Sequence, residues 1–167
     1  MKDTQILPAY EPASAPLQGQ TNLSPRILVV EDDIFIRQLS AESLGLCGYQ
    51  VDAAEDGAVA WDALQLNSYD LVITDNRMPK LSGVELLKKL RAARMALPVI
   101  MATGTLPTHE FTRYPGLQPV ATLIKPYTIE QLLGTVNQVL RAADSPREQT
   151  DPLPNKQSQP SAVSWQL

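Results

Sequence analysis

Residues with chemically useful side chains follow four apolar segments of the sequence. An acidic triplet, residues 31–33, comes directly after ILVV, and Asp75 comes directly after LVIT. A hydroxyl, Thr103, and an amine, Lys125, follow VIMA and ATLI. A charge at the end of a buried strand is costly unless it has a partner or binds an ion. The four positions therefore call for a common explanation, although each alone is ordinary.

The combination of carboxylates, a hydroxyl and an amine indicates one kind of chemistry. Clustered carboxylates raise each other's pKa unless a cation relieves the repulsion. Mg²⁺ suits such a cluster because it prefers oxygen ligands and is bound by one or two carboxylates. A carboxylate can also act as a nucleophile and form an aspartyl phosphate, whose oxygens an ammonium and a hydroxyl can contact. The pattern thus favours magnesium-assisted phosphoryl transfer.

Strand and helix patterns alternate along the chain and place these residues at one edge. Apolar strands that alternate with helices predict a parallel sheet with right-handed crossovers and helices on both faces. In such a sheet, the functional site lies beyond the carboxyl ends of the strands. Ser82 and Glu85 form a capping-box pattern before the third helix, and Thr128 precedes the last one. The expected strands are 27–30, 49–54, 70–75, 98–101 and 121–124, and the expected helices before the fourth are 34–47, 57–66 and 83–94.

The segment after Thr103 predicts a short or distorted fourth helix. It reads GTLPTHEFTRYPGLQPVA, in which Pro115 and Pro119 prevent a long helix. We therefore expect a non-standard surface here. His109, the single histidine, has no second ligand nearby that would suggest zinc, and we expect it to be an exposed polar residue.

Composition indicates one domain with two tails. We expect a domain at 26–143 and disordered tails rich in Pro, Gln and Ser at 1–25 and 144–167, the latter containing Trp165, to which we assign no role. The net charge of −4 gives no reason to expect nucleic-acid binding. A single cysteine, no apolar run of ~20 residues and no signal-peptide core favour a soluble, cytoplasmic protein without a membrane partner.

Four motifs together resemble the signatures of response-regulator receiver domains from two-component signalling. They are ILVVEDD, TDNRMP, MATG and IKP, in this order. The resemblance covers about residues 25–143 and implies a doubly wound, five-stranded parallel sheet of flavodoxin-like topology.

The resemblance also implies roles for the acidic residues. Asp75 would be the phosphoacceptor. Asp32 would bind Mg²⁺ directly, Glu31 would act mainly through water, and Asp75 and the backbone carbonyl of Arg77 would complete the protein ligands. Asp33 lies one place beyond the acidic pair, and we do not assign it to the metal site.

Further roles follow for residues on the last two strands. Thr103 would be the switch hydroxyl, and Lys125 would bind the phosphoryl group and precede a peptide bond that is often cis. An aromatic residue is usual three places before the lysine, but Thr122 stands there and cannot rotate a ring. We assign a tuning role to Thr122 and Thr105, and one to Arg77, which we expect to alter the lifetime of the acyl phosphate.

As a function, the resemblance implies a phosphoacceptor that catalyses only its own phosphorylation and dephosphorylation. We expect a stand-alone receiver, because the ~25 polar residues after the last helix are too few for an independent domain. The donor would be a phosphohistidine on a histidine kinase or a histidine phosphotransfer protein. The output would run through contacts with an unidentified downstream protein, and the sequence does not specify an oligomeric state.

Three other functions compete with this one. The missing aromatic residue and the interrupted fourth helix are compatible with a binding module that does not depend on phosphorylation. A metal-dependent phosphatase with an aspartyl nucleophile commonly has a second acid two residues further on, where this chain has Arg77. A flavin-binding domain is disfavoured because EDD, not a phosphate-binding loop, follows the first strand.

Overall fold

The structure, a computed structural model, describes residues 24–144. Strands and helices alternate along this part of the chain, as the sequence predicts. None of the described helices is both long enough and apolar enough to cross a membrane. The elements are β1 (Arg26–Val30), α1 (Ile34–Leu46), β2 (Gln50–Ala54), α2 (Gly57–Leu66), β3 (Leu71–Thr74), α3 (Gly83–Ala92), β4 (Val99–Thr103), α4 (Thr108–Arg113), a 3₁₀ helix (Pro115–Leu117), β5 (Ala121–Ile124) and α5 (Ile129–Asp144).

The five strands form one parallel sheet in the order β2-β1-β3-β4-β5. β1 is apolar from Ile27 to Val30 because both faces of the strand are covered by helices. Ile27 and Val29 pack into the core on the side of α1 and α5, whereas Leu28 and Val30 pack into the core with α2 and α3. A strand covered on both faces has no polar side. The predicted doubly wound architecture is confirmed.

The observed bounds differ from the predicted ones by one or two residues at several ends. β3 ends at Thr74, so Asp75 lies in the connection to α3. β4 extends to Thr103, because its last residues still pair with β5. The third helix ends at Ala92, and Arg94 has a φ of 57°, which an α-helix does not allow. Element ends depend on hydrogen bonds to neighbouring strands and turns, which a local pattern does not contain.

Side chains at the carboxyl edge of the sheet begin three of the helices. Asp33 accepts hydrogen bonds from two backbone amides in the first turn of α1. Asp56 does the same for α2. The predicted capping box of Ser82 and Glu85 is present at α3. Each cap satisfies amides that have no partner within the helix.

The fourth helix is short, as the prolines predict. α4 has six residues, none of them buried, and no side chain caps its first turn. The 3₁₀ helix that follows buries Leu117 in the core beside α3. His109 is exposed on α4, as expected. The connection between β4 and β5 is therefore held mainly by a few apolar contacts.

Helix α3 starts in close contact with the connection that follows β3. A Cβ at Gly83 would overlap the carbonyl oxygen of Asp75, so only glycine fits there. The Gly83 amide also donates a hydrogen bond of 3.1 Å to the carbonyl of Asn76. This contact fixes the position of the chain directly after the phosphoacceptor candidate.

We predict that Gly83→Ala lowers the free energy of unfolding by ~1–3 kcal/mol, the usual cost of a forced backbone shift. The matched control is Gly134→Ala in α5, where a Cβ would have no neighbour within 4 Å. That variant is expected to raise stability by up to ~1 kcal/mol, because alanine has the higher helix propensity. Urea unfolding measures both. Equal effects of the two substitutions would contradict the proposed close contact.

Candidate functional site

The carboxyl ends of the strands bring three acids together, as the sequence indicates. Glu31 and Asp32 follow β1, and Asp75 follows the neighbouring β3. One carboxylate oxygen from each acid lies within 4.8 Å of the others. Glu31 and Asp75 are buried, whereas Asp32 is exposed. The site is therefore a partly open acidic pocket with two sheltered carboxylates.

Lys125, at the end of β5, neutralises the two buried acids. Its Nζ lies 2.6 Å from Oε2 of Glu31 and 2.8 Å from Oδ2 of Asp75. The Lys125–Pro126 peptide bond is cis, in agreement with the resemblance. One ammonium group thus bridges residues from β1 and β3 and connects both to the edge strand β5.

The pKa shifts of these groups follow from burial and from the lysine. Burial raises the pKa of Asp75, but hydrogen bonding and charge from Lys125, together with the Arg77 amide, outweigh it and hold the pKa below its usual value. For Glu31, burial prevails over the same lysine, and the pKa is raised. Burial lowers the pKa of Lys125, but the two carboxylates prevail and raise it. Asp75 is therefore ionised at neutral pH, in the form a nucleophile requires.

Backbone amides orient the carboxylate of Asp75. Its Oδ1 accepts hydrogen bonds from the amides of Asn76 and Arg77, the latter at 3.2 Å. The side chain of Asn76 in turn accepts a hydrogen bond of 3.2 Å from the amide of Val84 at the start of α3. The two oxygens of Asp75 thus have different partners, amides on one and the ammonium on the other. This arrangement fixes the direction of the carboxylate plane.

Thr103, the last residue of β4, also lies at the carboxyl edge of the sheet. Thr103 is fully buried, and its hydroxyl donates a hydrogen bond of 3.3 Å to the carbonyl of Thr105. Arg77 is exposed, and its guanidinium lies 3.7 Å from where a Cβ at Gly104 would be. The side chain of Arg77 therefore extends from the β3–α3 connection towards the end of β4.

Thr122 is not part of this cluster. It is exposed on the edge strand β5, where it lines a shallow groove with Tyr127 and Gln131 of the following segment. No hydrogen bond of its side chain is found among the described residues, and its small size leaves the position open to solvent. The structure therefore separates the buried hydroxyl of Thr103 from the exposed position 122, where the resemblance leads us to expect an aromatic residue.

Arg37, which no sequence motif indicated, contacts the backbone of the acidic pair. Its Nη1 donates hydrogen bonds to the carbonyl of Glu31 at 2.6 Å and to that of Asp32 at 3.1 Å. The one available signal was its place in the first turns of the predicted helix, four residues after Asp33. Asp33 itself points its side chain at α1 as an N-cap.

The acidic cluster fits a magnesium ion. Three carboxylate oxygens within 4.8 Å of one another provide the hard ligands that Mg²⁺ prefers. The exposure of Asp32 leaves room for the waters that Mg²⁺ retains. Without a cation, the single charge of Lys125 opposes three carboxylates. Glu31, Asp32 and Asp75 are thus the residues that could hold the ion.

Comparison with known proteins now identifies the class. The sequence model described as "Response regulator receiver domain" matches residues 27–137. The chain therefore belongs to the response regulator receiver domain family.

An individual relative is also a response regulator. The chain is 38% identical over 128 residues to response regulator MprA of Mycobacterium sp. strain KMS, a match that covers 75% of this chain and 54% of that protein. The chain thus spans about half the length of the curated relatives it matches.

Two solved structures show the same fold. The receiver domain of Francisella response regulator 1452 has 30% identity and a TM-score of 0.66, and the match covers 72% of this chain and 99% of that one. Response regulator TrrA of Thermotoga maritima, solved in complex with Mg(2+)-BeF, has 31% identity and a TM-score of 0.61, covering 69% of this chain and 98% of that one.

We predict that Lys125→Met raises the pKa of Asp75, because the hydrogen bond and the positive charge that lower it are both removed while burial remains. The pKa of Glu31, already raised, should rise further. Since the pKa of Asp75 is depressed in the folded state, its contribution to stability is present above its unfolded pKa. That contribution is lost as pH falls through the folded pKa, and the substitution should shrink it.

Carboxyl carbon chemical shifts in a pH titration measure the change. The matched control is Lys88→Met, which removes the lysine of an ion pair with Glu110 on α4. It should leave the titration of Asp75 as it is in the unsubstituted protein. A titration of Asp75 that is the same with and without Lys125 would refute the assigned cause of the shift.

Proposed function

We propose that the chain is a phosphoacceptor receiver of a two-component phosphorelay, in which Asp75 takes a phosphoryl group from a phosphohistidine. The single observation that carries this proposal is the position of the Asp75 carboxylate. It is ionised, oriented by two backbone amides, bridged to Lys125 at 2.8 Å, and adjacent to the acidic pair that follows β1. An oriented anion beside a cation-binding cluster is suited to attack phosphorus.

Each residue has one task in this reaction. An oxygen of Asp75 forms the new O–P bond as the P–N bond of the phosphohistidine breaks, and the imidazole leaves with that electron pair. The ammonium of Lys125 and the hydroxyl of Thr103 contact the transferred phosphoryl oxygens. Asp32, Asp75 and the backbone carbonyl of Arg77 would hold Mg²⁺, with Glu31 acting mainly through water, and the ion would neutralise charge on the phosphoryl group.

The proposal includes partners. The donor is a histidine kinase or a histidine phosphotransfer protein, and the phosphorylated form changes its contacts with a downstream protein. The chain performs no other catalysis than its own phosphorylation and dephosphorylation. We place it in the cytoplasm, with neither a nucleic acid nor a membrane as partner. The net charge of −4 is the basis for excluding nucleic acid.

A second candidate is a receiver-like module whose binding does not depend on phosphorylation. Two observations favour it. Thr122 is an exposed threonine, so ring rotation cannot report the state of Thr103. α4 has no buried residue and no side-chain cap, so few contacts hold it to the core. In this candidate, the acidic cluster would retain its cation while the chain binds its partner in one state.

The two candidates differ in a phosphorylation assay. With Mg²⁺ and a small phosphodonor such as acetyl phosphate, we expect an acid-stable, base-labile adduct of one phosphoryl group. Asp75→Asn should abolish it, because an amide cannot act as the nucleophile. Intact mass spectrometry gives the stoichiometry, and peptide mapping gives the position.

The matched control is Asp62→Asn on α2, where the exposed acid lies outside the site. It should leave the adduct unchanged. An unmodified chain after treatment with the donor and with histidine kinases would favour the second candidate. Rapid multiple turnover on phosphomonoesters would instead indicate a phosphatase.

We further propose that Arg77 protects the acyl phosphate from water. Its side chain is exposed, and its guanidinium lies near Gly104, which follows the buried Thr103. Arg77→Asn removes this cover, and we expect dephosphorylation to become ~3- to 10-fold faster, a barrier change of ~0.7–1.4 kcal/mol. The decay of the phosphorylated form after removal of the donor measures the rate.

The matched control for this rate is Arg94→Asn, an equal loss of charge at a residue after α3. Asparagine tolerates the φ of 57° at that position. The control should decay at the rate of the unsubstituted protein. A rate that Arg77→Asn leaves unchanged would refute the protective role.

A further inference from the structure

The connection from β3 to α3 contains the central residues of the site and is held from two sides. On the side of α3, the contacts of Gly83 and the side chain of Asn76 fix its first residues. On the side of α2, the turn between β2 and α2 holds its last residues. The amide of Gly57 donates a hydrogen bond of 3.2 Å to the carbonyl of Leu81. A Cβ at Gly57 would overlap that oxygen, so the two segments are in direct backbone contact.

An ion pair lies beside this backbone contact. Nζ of Lys80 is 2.6 Å from Oδ2 of Asp56. Asp56 is only 1% exposed, and its Oδ1 accepts hydrogen bonds from the amides of Ala58 and Val59 at the start of α2. The ammonium of Lys80 is thus the group that compensates the remaining oxygen of a buried carboxylate. Removing it would leave a sheltered negative charge without a cation at this point.

The backbone of Lys80 is itself unusual. Its φ is 61°, a conformation that costs free energy for a residue with a Cβ. The position has neither glycine nor asparagine, the residues that adopt this conformation at least cost. The position combines an unfavourable backbone conformation with a charged side chain that reaches a buried acid.

We propose that Asp56 and Lys80 form a positioning pair for the metal site, although neither residue touches it. Lys80 is three residues after Arg77, whose backbone carbonyl is assigned to Mg²⁺, and five after Asp75. The pair fixes the far end of the same short connection to the rigid start of α2. This inference rests on the magnesium site of the proposed function and adds residues that set its affinity.

Groups that hydrogen-bond directly to metal ligands contribute about 10- to 100-fold to metal affinity. The pair acts through the backbone of the connection, so its effect belongs at the lower end of this range. We therefore expect Lys80→Met to weaken Mg²⁺ binding about 10-fold. Lys80→Asn should do the same, and it keeps the chain folded because asparagine tolerates a positive φ. Lys80→Arg keeps a cation and should recover most of the affinity. The matched control is Lys89→Met on α3, which removes an equal charge from a lysine that stacks on Trp61.

A titration of the unphosphorylated protein with Mg²⁺, followed by the amide resonances of Asn76 and Arg77, gives the dissociation constant of each variant. Thermal unfolding without Mg²⁺ is measured in parallel. Weaker binding in both neutral variants, with the control and the arginine variant close to the unsubstituted protein, supports the positioning pair.

Unchanged Mg²⁺ affinity in the neutral variants would overturn the inference, and a lower melting temperature alone would assign the pair to stability only. A different result tests the proposed function. If the unsubstituted protein shows no response to Mg²⁺, the metal site itself is wrong, and the positioning role is refuted with it.

Discussion

The bridge that Lys125 makes between Glu31 and Asp75 is the interaction on which the arrangement of the site depends. Two like charges 4 Å apart near a protein surface repel by ~4 kcal/mol, so the acids at this edge cannot be brought together without compensation. The ammonium comes from the edge strand β5, whereas the acids come from the central strands. The charge balance therefore holds only when the strands are paired in this register, and a slip of β5 by one residue would move the lysine to the other face.

Much of the architecture was predictable because burial dictates residue type in a two-sided sheet. The buried positions of β1 are apolar, as are Leu71, Val72 and Ile73 of β3, and the predicted capping box of Ser82 and Glu85 marks the start of α3. The prolines correctly predicted the short α4. The ends of β3 and β4 were less accurate, because they are decided by pairing with a neighbour that is distant in sequence.

The meeting of Glu31, Asp32 and Asp75 was likewise predictable from strand order, but their different environments were not. Burial and the lysine act on both sheltered acids, yet they shift the two pKa values in opposite directions. That balance depends on how deeply each carboxylate lies and on which amides reach it. The contacts of Arg37 with backbone carbonyls and of Lys80 with Asp56 could not be predicted from the sequence either. Such contacts join segments through single side chains and leave no periodic pattern.

The weak attachment of the segment between β4 and β5 has a consequence for how this domain can change shape. α4 and the 3₁₀ helix are anchored to the core chiefly by Leu117 and the partly buried Phe111, with one ion pair from Lys88 to Glu110 on the surface. Segments with few buried contacts open locally at a free energy well below that of global unfolding. Thr103 is linked to the start of this segment by the hydrogen bond from its hydroxyl to the carbonyl of Thr105. Local opening of this segment would change the degree of order of the surface, and it would not require a rotating ring.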